Sequence, residues 1–310
     1  MTTTAPPHPI ARLHLSARIE APLQLPPYSG SMLRGAFGHA LLALSPLPHV
    51  DGQPCALHTT CPYCQVFAAP PLPGHSLQTF SAMPQPYAIE PSAGGARSLQ
   101  PGQTLDFGLV LLGKALDHLP TIILAWQRAL RTGLGQERAT ATLLDMRHEA
   151  CHHNLLTEEL PLAPLPVVIP AAPALGGQAS LHFQTPLRLQ VQGKPVRAAQ
   201  LTARHLLIAL ARRYQLLQDV HLGPAAPQQD FSHLLAQADA IELEPQELRW
   251  FDWGRFSQRQ QQEMQFGGLL GSVTLRGNLA TFAQLLHLGQ WLHVGKNASF
   301  GLGGYRLHTP

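Results

Sequence analysis

Strand and helix patterns follow one another in the same order twice along this chain. In the first half, the alternating segment ARLHLSARIE precedes helical spacing from Ser31 to Leu44, and then come PYAIEP, TLDFGLVLLG, a helix around Leu116 to Leu130 and RATATLLDMRH. Apolar residues at every second position indicate a half-buried strand, whereas apolar residues three and four positions apart indicate a helix. The first half therefore predicts the order β-α-β-β-α-β.

The second half repeats this order after a connector. Residues 161–178 are rich in proline, which disfavours a continuous helix. The segments that follow predict strand, helix, two strands, helix and strand: ASLHFQTPLRLQ, TARHLLIALARRYQLLQ, AIELEPQELRWFDW, GGLLGSVTLRG, LATFAQLLHLGQWL and GGYRL. We therefore predict an α+β protein of two tandem ferredoxin-like (RRM-like, βαββαβ) domains, at residues 1–160 and 179–310.

Charge and hydropathy narrow the class of partner. The formal net charge is +3 and the pI is near 8.8, so an anionic partner is permitted but not required. The N-terminal segment MTTTAPPHPIARLHL lacks the charged start and apolar run of a secretory signal. No uninterrupted apolar run reaches the roughly 18 residues that a membrane span needs. We therefore expect a cytoplasmic protein with no membrane partner.

The chain ends in a glycine-rich segment, HVGKNASFGLGGYRL, from His293 to Leu307. Glycines allow a backbone to approach phosphate closely, because residues without a Cβ adopt positive φ and expose N–H groups. In the two familiar nucleotide-binding loops a helix follows the glycines, whereas here only one strand's length of chain remains. Both motifs are therefore excluded. One of only three lysines in the chain, Lys296, lies in this segment.

Another segment, LRWFDWGRFSQRQQQ, interleaves arginines with aromatic residues. In an extended strand alternate residues face opposite ways, so Phe251 and Trp253 share one side and Trp250 lies on the other. Aromatic rings stack on unpaired bases and arginines bind phosphate, so the pattern is typical of single-strand binding. Within it we expect Arg255 and Arg259 to bind RNA.

Three parts of the chain together resemble a known family. They are SMLRGAFGHALLAL followed by CPYCQVF, the terminal segment GGLLGSVTLRGNLATFAQLLHLGQWLHVGKNASFGLGGYRL, and the two ferredoxin-like halves between them. In this combination the chain resembles the CRISPR precursor-RNA-processing endoribonucleases of the RAMP superfamily. The terminal segment carries most of the likeness, with strand, helix, glycine loop and strand in the family's order.

The resemblance implies binding of a CRISPR repeat in precursor RNA and one cut without a metal ion. The ribose 2′-hydroxyl would attack the adjacent phosphate, giving a 2′,3′-cyclic phosphate. This chemistry needs a base, an acid and cationic support, and histidine, with a usual pKa of about 6.5, performs either proton transfer. In the family the histidine lies on the first helix or just after it, so His39 and His49 are both candidates, with Tyr28 as a helper.

The resemblance also implies which residues bind RNA. The family's glycine-rich loop lies against the RNA or against the N-terminal domain, and Arg34 lies on the polar face of the predicted first helix. In the loop, lysine supplies a point charge, Asn and Ser supply hydrogen bonds, and Phe stacks on a base or fills the domain interface. The loop residues expected to bind RNA are Gly295, Lys296, Asn297, Ser299, Phe300, Gly301 and Gly303.

The segment CALHTTCPYC predicts a metal site. It spaces four residues three positions apart, and a tetrahedral zinc ion needs four ligands of this kind: Cys55, His58, Cys61 and Cys64. Relatives in the resembled family carry four cysteines here, so in this chain His58 or His49 would fill the fourth place. Such a zinc ion would be structural, and we expect no cofactor for catalysis. Three reduced cysteines without a metal are the alternative.

Two other functions fit the same patterns. The superfamily's fold also serves non-cleaving RNA-binding subunits of CRISPR effector complexes, which lack a histidine directed at the bound phosphate. A zinc-stabilised protein with no RNA partner would show no salt-dependent RNA binding. The expected partners are thus CRISPR repeat RNA or crRNA and, in the first alternative, an effector complex.

Overall fold

The computed structural model describes residues 9–49, 55–69, 83–150, 154–156, 171–222, 229–257 and 262–309. The chain divides into two compact units, one comprising Met1–Ile169 and Leu217–Pro224 and the other Pro170–Leu216 and Ala225–Pro310. The division after Ile169 lies inside the predicted connector. The segment Leu217–Pro224 belongs to the first unit, although the predicted boundaries put it in the second.

The first unit is a ferredoxin-like domain. Its elements in chain order are β1 (Ile10–Ile19), β2 (Leu23–Leu25), α1 (Gly30–Ala43), β3 (Tyr87–Glu90), β4 (Arg97–Leu99), β5 (Thr104–Leu112), α2 (Leu119–Thr132) and β6 (Ala141–His148). Four strands form an antiparallel sheet in the order β3-β5-β1-β6, and β2 pairs with β4 separately. The first strand lies at the centre of the sheet beside the last, as the predicted fold requires.

The core of this domain lies between the sheet and its two helices. Leu13 and Leu15 of β1 are buried in it, whereas His14 between them is exposed. The rings of Phe37 in α1 and Trp126 in α2 stack with their centroids 5.1 Å apart, and both are fully buried. Burying a side chain the size of Phe37 contributes about 1.5–3 kcal/mol, so this packing helps to hold α1 against α2.

The second unit repeats the fold. Its elements are β7 (Gln178–Leu187), β8 (Gln190–Val191), β9 (Lys194–Pro195), α3 (Ala203–Leu217), α4 (Phe231–Asp239), β10 (Glu242–Ser257), β11 (Gln262–Arg276), α5 (Ala283–Leu292) and β12 (Tyr305–His308). Its antiparallel sheet has the order β10-β11-β7-β12, again with the first strand beside the last. The prediction of two ferredoxin-like domains is confirmed.

The second unit departs from the prediction in two elements. Strands β10 and β11 continue past the predicted ends at residues 253 and 267 and form one long hairpin. Helix α4 was not predicted, although Asp230 caps it by accepting hydrogen bonds from the N–H groups of Ser232 and His233. Among the helices that the structure describes, none has both the length and the hydropathy of a membrane span.

Candidate functional site

Helix α1 carries the first histidine candidate. Leu33, Phe37 and Leu41 on one side of the helix are buried, and His39 on the other side is exposed. Gly35 lies one turn before His39, and a Cβ placed there would meet no atom within 4 Å. The backbone of α1 beside His39 is therefore accessible to a ligand.

Arg34 is held on the surface of the same helix. Its guanidinium lies over the ring of Phe67, 4.2 Å from the centroid. That ring also stacks on Tyr63 at 5.4 Å and packs so closely on Gly38 that a Cβ at Gly38 would collide with it. A cation over an aromatic ring is attracted by the ring's electrons, so this contact orients Arg34.

The segment after α1 brings one histidine and three cysteines together. Four residues each place one ligand atom within 4.8 Å of the others: His49, Cys55, Cys61 and Cys64. His49 Nε2 lies 3.3 Å from Cys64 Sγ and 3.6 Å from Cys61 Sγ. The edges of a tetrahedral zinc site with these ligands are about 3.6–3.8 Å long, so the four residues can hold a metal ion such as zinc.

Two thiols of this cluster differ in pKa. Burial raises the pKa of Cys64 to about 12, and the charge of Cys61 adds to the shift. Burial also acts to raise the pKa of Cys61, but hydrogen bonds from the backbone of Cys64 and the hydroxyl of Ser45 outweigh it and lower that pKa. Because zinc binds cysteine as thiolate, binding would displace the proton of Cys64.

His58 lies outside the cluster. It is exposed, and its carbonyl oxygen accepts a hydrogen bond of 2.7 Å from the Gln65 side chain. Of the two histidines considered as fourth ligand, the structure brings His49 to the thiols. His49 Nδ1 lies 3.1 Å from the carbonyl oxygen of Leu47, a second contact of the kind that orients ligating imidazoles. A metal-bound His49 would not be a free proton carrier.

Tyr28, the predicted helper, lies two residues before α1 and is only 7% exposed. Burial, and then the negative charge of Glu90, raise its pKa well above the usual value. Its hydroxyl therefore stays protonated at neutral pH. It can donate a hydrogen bond but cannot serve as the base.

The glycine-rich loop after α5 packs tightly on the backbone of its own unit. Gly295 and Gly303 have positive φ angles of 93° and 73°. A Cβ on Gly295 would collide with the carbonyl oxygen of Arg188, and one on Gly303 with that of Val294. Only glycine therefore fits these two positions.

Two N–H groups of the loop donate hydrogen bonds to carbonyl groups of the protein. The N–H of Gly301 donates to the carbonyl oxygen of Ala298 at 2.8 Å, and that of Gly303 donates to Pro186 at 3.0 Å. This differs from the expectation that glycines here expose N–H groups to phosphate. These two N–H groups are already hydrogen-bonded, because carbonyl groups of the protein itself lie close to the glycines.

The side chains of the loop differ in exposure. Lys296 is exposed, Asn297 and Phe300 are half-buried, and Ser299 is only 5% exposed. Asn297 adopts the left-handed conformation, with φ 63°, and its carbonyl oxygen accepts the N–H of Phe300 at 2.9 Å. Lys296 is therefore the loop side chain most accessible to a phosphate.

Arg188, which the sequence pattern does not single out, joins the loop to the β10–β11 hairpin. Its carbonyl oxygen accepts the N–H of Lys296 at 2.8 Å. Its guanidinium donates to the carbonyl oxygen of Gly267 at 3.0 Å and lies 5.2 Å from the ring centroid of Phe266. Burial lowers the pKa of Arg188, which nonetheless remains a cation at neutral pH. Its only sequence signal is its place one residue after β7.

Two further residues are predicted to bind RNA. Arg255 belongs to β10, but its side chain is outside the described part, and Arg259 lies outside the described residues. The predicted alternation is confirmed, because Phe251 and Trp253 stack on one face at 5.5 Å while Trp250 lies on the other.

Family models match both units. Residues 8–164, half of the chain, match AF_1859_N, described as an N-terminal domain. Residues 181–305 match the model described as CRISPR-associated endoribonuclease Cas6. No protein of curated function matches the sequence.

Solved structures match nearly the whole chain. Thermus thermophilus Cas6 (TTHB231) has a TM-score of 0.58 and 17% identity over 98% of this chain and 100% of that chain. A Cas6 (TTHB231) product complex has a TM-score of 0.60 and 17% identity, and the match covers 96% of this chain and 99% of that chain. A partial Cas6-RT-Cas1–Cas2 complex has a TM-score of 0.59 and 16% identity, and the match covers 100% of this chain and 47% of that chain. At such identities the likeness establishes the fold, two ferredoxin-like domains.

Proposed function

Because residues 181–305 match the model of the CRISPR-associated endoribonuclease Cas6, we propose that the protein cuts the repeat of precursor CRISPR RNA with no metal ion in the reaction. The 2′-hydroxyl oxygen attacks the adjacent phosphorus, and the bond from phosphorus to the 5′-oxygen breaks. A base takes the proton of the 2′-hydroxyl and an acid gives one to the 5′-oxygen. The products are a 2′,3′-cyclic phosphate and a 5′-hydroxyl.

His39 carries a proton in this proposal. The supporting observation is its exposed position on α1 beside the open surface at Gly35, while His49 lies among the thiols. Imidazole performs either proton transfer near neutral pH, and a positioned general acid or base typically contributes about 10²–10⁴-fold in rate. We assign Tyr28 no proton transfer from RNA, because its hydroxyl is buried.

Cations on each unit bind the RNA backbone in this proposal. On the first unit, Arg34 is fixed over Phe67, on the same helix as His39. On the second unit, Lys296 is exposed on a loop that glycines hold in one shape. Contacts with phosphate position an RNA without reading its sequence, which suits both residues. Asn297 and Phe300 of the same loop remain partly accessible and would add polar and stacking contacts.

The thiol cluster holds a structural zinc ion in this proposal. Cys61 Sγ lies 3.7 Å from the Oγ of Ser45, two residues beyond α1, so the cluster adjoins the end of that helix. A zinc ion here would fix the segment around Cys55–Cys64 to the helix that carries His39. It would orient no substrate and activate no water, because four protein ligands leave no open position on the metal.

The test is cleavage of a labelled cognate repeat RNA in EDTA, beside the same RNA with hydrogen in place of the 2′-hydroxyl at the cut site. We expect the first RNA to be cut to a product ending in a 2′,3′-cyclic phosphate, and the second to be bound but left intact. If the wild-type protein binds the repeat tightly and cuts neither RNA, it is a repeat-binding subunit of an effector complex, and the role of His39 must be withdrawn.

A further inference from the structure

On one face of the β10–β11 hairpin, the protein itself contacts the ring of Trp250. The guanidinium of Arg197 lies over the ring of Trp250, 3.6 Å from its centroid. The same ring covers Gly267 so closely that a Cβ there would collide with it, and its indole N–H donates to Asp252. Both the ring and its only hydrogen-bond donor are therefore in contact with the protein. These contacts occupy Trp250, which is half-buried.

The opposite face carries a row of stacked groups. The rings of Phe251 and Trp253 lie 5.5 Å apart at 28°, and those of Trp253 and Phe266 lie 6.0 Å apart at 27°. The guanidinium of Arg188 continues the row at 5.2 Å from Phe266. Trp253 and Phe266 are 6% and 8% exposed, whereas Phe251 at the end of the row is only half-buried. Of the three rings, Phe251 therefore offers the most surface to a ligand.

Positive charge flanks this row at both ends. Arg188 ends it on one side, and its carbonyl oxygen holds the N–H of the exposed Lys296. At the other end, Arg249 is exposed and, two residues before Phe251 in the same strand, shares its face. A flat apolar surface between cations suits a flat apolar group between anions, which is how a base lies between the phosphates of a nucleic-acid strand.

We propose that Phe251 binds an unpaired base of the RNA by stacking. The ligand's identity as RNA rests on the proposed function. The base must be unpaired, because neighbours cover the faces of a base inside a duplex. Aromatic side chains on the sheets of RRM domains bind single-stranded RNA by the same chemistry. The stacked rings behind Phe251 and the contacts of Arg188 hold this surface in place before RNA binds.

The test measures binding of a fluorescent single-stranded repeat RNA that lacks the cut-site 2′-hydroxyl, for wild type, Phe251→Leu and Phe251→Tyr. Leucine keeps the apolar bulk without an aromatic face, and tyrosine keeps that face. We expect Phe251→Leu to weaken binding roughly 5- to 150-fold and Phe251→Tyr to stay within about 3-fold of wild type. The salt dependence of binding should not change, whereas Lys296→Ala should reduce its slope by about 1.

A second measurement uses the unaltered protein. Each base of the RNA is replaced in turn by an abasic site. At one abasic position we expect the RNA affinity of wild type to fall by the factor seen for Phe251→Leu. The affinity of Phe251→Leu should fall little further at that position, because the two changes remove the same contact. The proposal is overturned if Phe251→Leu, with an unchanged melting temperature, binds RNA as tightly as wild type. It is also overturned if the affinity lost through Phe251→Leu and the affinity lost at each abasic site are additive at every position.

Failure of this inference is distinguishable from failure of the proposed function. A wild-type protein that cuts the repeat, with affinity independent of the ring at position 251, refutes the base-binding site alone. A protein that needs the ring for binding but cuts nothing refutes the cleavage proposal alone.

Discussion

Histidine side chains in this chain differ chiefly in what surrounds them. His39 is exposed on a helix, whereas His49 lies 3.3 Å from the Sγ of Cys64. His293 is buried at the start of the glycine-rich loop, with Nδ1 3.2 Å from the carbonyl oxygen of Leu302. One residue type thus provides a candidate proton carrier, a candidate metal ligand and a packing group.

His148, at the end of β6, makes stability depend on pH. It is 3% exposed, its Nδ1 accepts the N–H of Ala150 at 3.2 Å, and burial lowers its pKa. The unfolded state therefore binds a proton more readily than the folded state. The contribution of His148 to stability is present above its unfolded pKa of about 6.5 and is lost as the pH falls through its folded pKa.

Urea unfolding of wild type and His148→Gln between pH 7.5 and pH 5 checks this prediction. Glutamine keeps a hydrogen-bond acceptor but does not titrate. We expect wild type to lose more stability than the variant on going from pH 7.5 to pH 5. Parallel curves for the two proteins would show that His148 is not the source.

Long-range pairs limit what the sequence predicts about single side chains. Alternation in β1 places Arg12 on its polar side, yet Arg12 is 2% exposed. It pairs with Glu90 at 3.0 Å and Glu149 at 3.1 Å, residues 78 and 137 positions away. Periodicity reports which side of a strand a residue lies on. It does not report what later parts of the chain will cover that side.

Elements with strong periodicity are predictable, and those that depend on a partner are less so. Helices α1, α2, α3 and α5 follow from apolar residues at helical spacing. The ends of β10 and β11 could not be found in this way, because each strand pairs chiefly with the other in polar sequence. The π-helical turn at Tyr63–Phe67 has no periodic signal of its own, and it carries Cys64 into the thiol cluster.

Substitutions in the segment between α1 and β3 test whether the protein binds the proposed zinc ion. We expect about one zinc ion per chain in the wild-type protein. Cys64→Ser should lose the zinc and lower the melting temperature by about 5 °C or more, because binding to the folded state stabilises it. His58→Ala is the matched control, since His58 is exposed and outside the cluster, and it should keep both zinc and stability.

Metal content by mass spectrometry and thermal unfolding give the two readouts. Loss of zinc in His58→Ala together with retention in His49→Ala would reverse the choice of ligand. Absence of zinc from protein purified without chelator would favour three reduced cysteines.

Across the whole molecule, the two domains share one fold but present different candidate sites. The candidate site of the first domain consists of side chains on the outer side of α1. The candidate site of the second domain, which has the same strand order, consists of a loop and a hairpin. The repeated order follows from local patterns, so it is predictable from sequence. The joining of loop and hairpin through Arg188 is not, because it depends on a carbonyl oxygen and on residues far apart in the chain.

In the proposed mechanism His39 moves the proton and His49 binds metal. Rates of repeat cleavage in EDTA, RNA affinity and zinc content are measured for wild type, His39→Ala and His49→Ala. We expect His39→Ala to cut about 10²–10⁴-fold more slowly while keeping its RNA affinity and zinc, and His49→Ala to lose zinc and thermal stability. Wild-type cleavage by His39→Ala, beside a folded, zinc-loaded His49→Ala that does not cut, would refute both assignments.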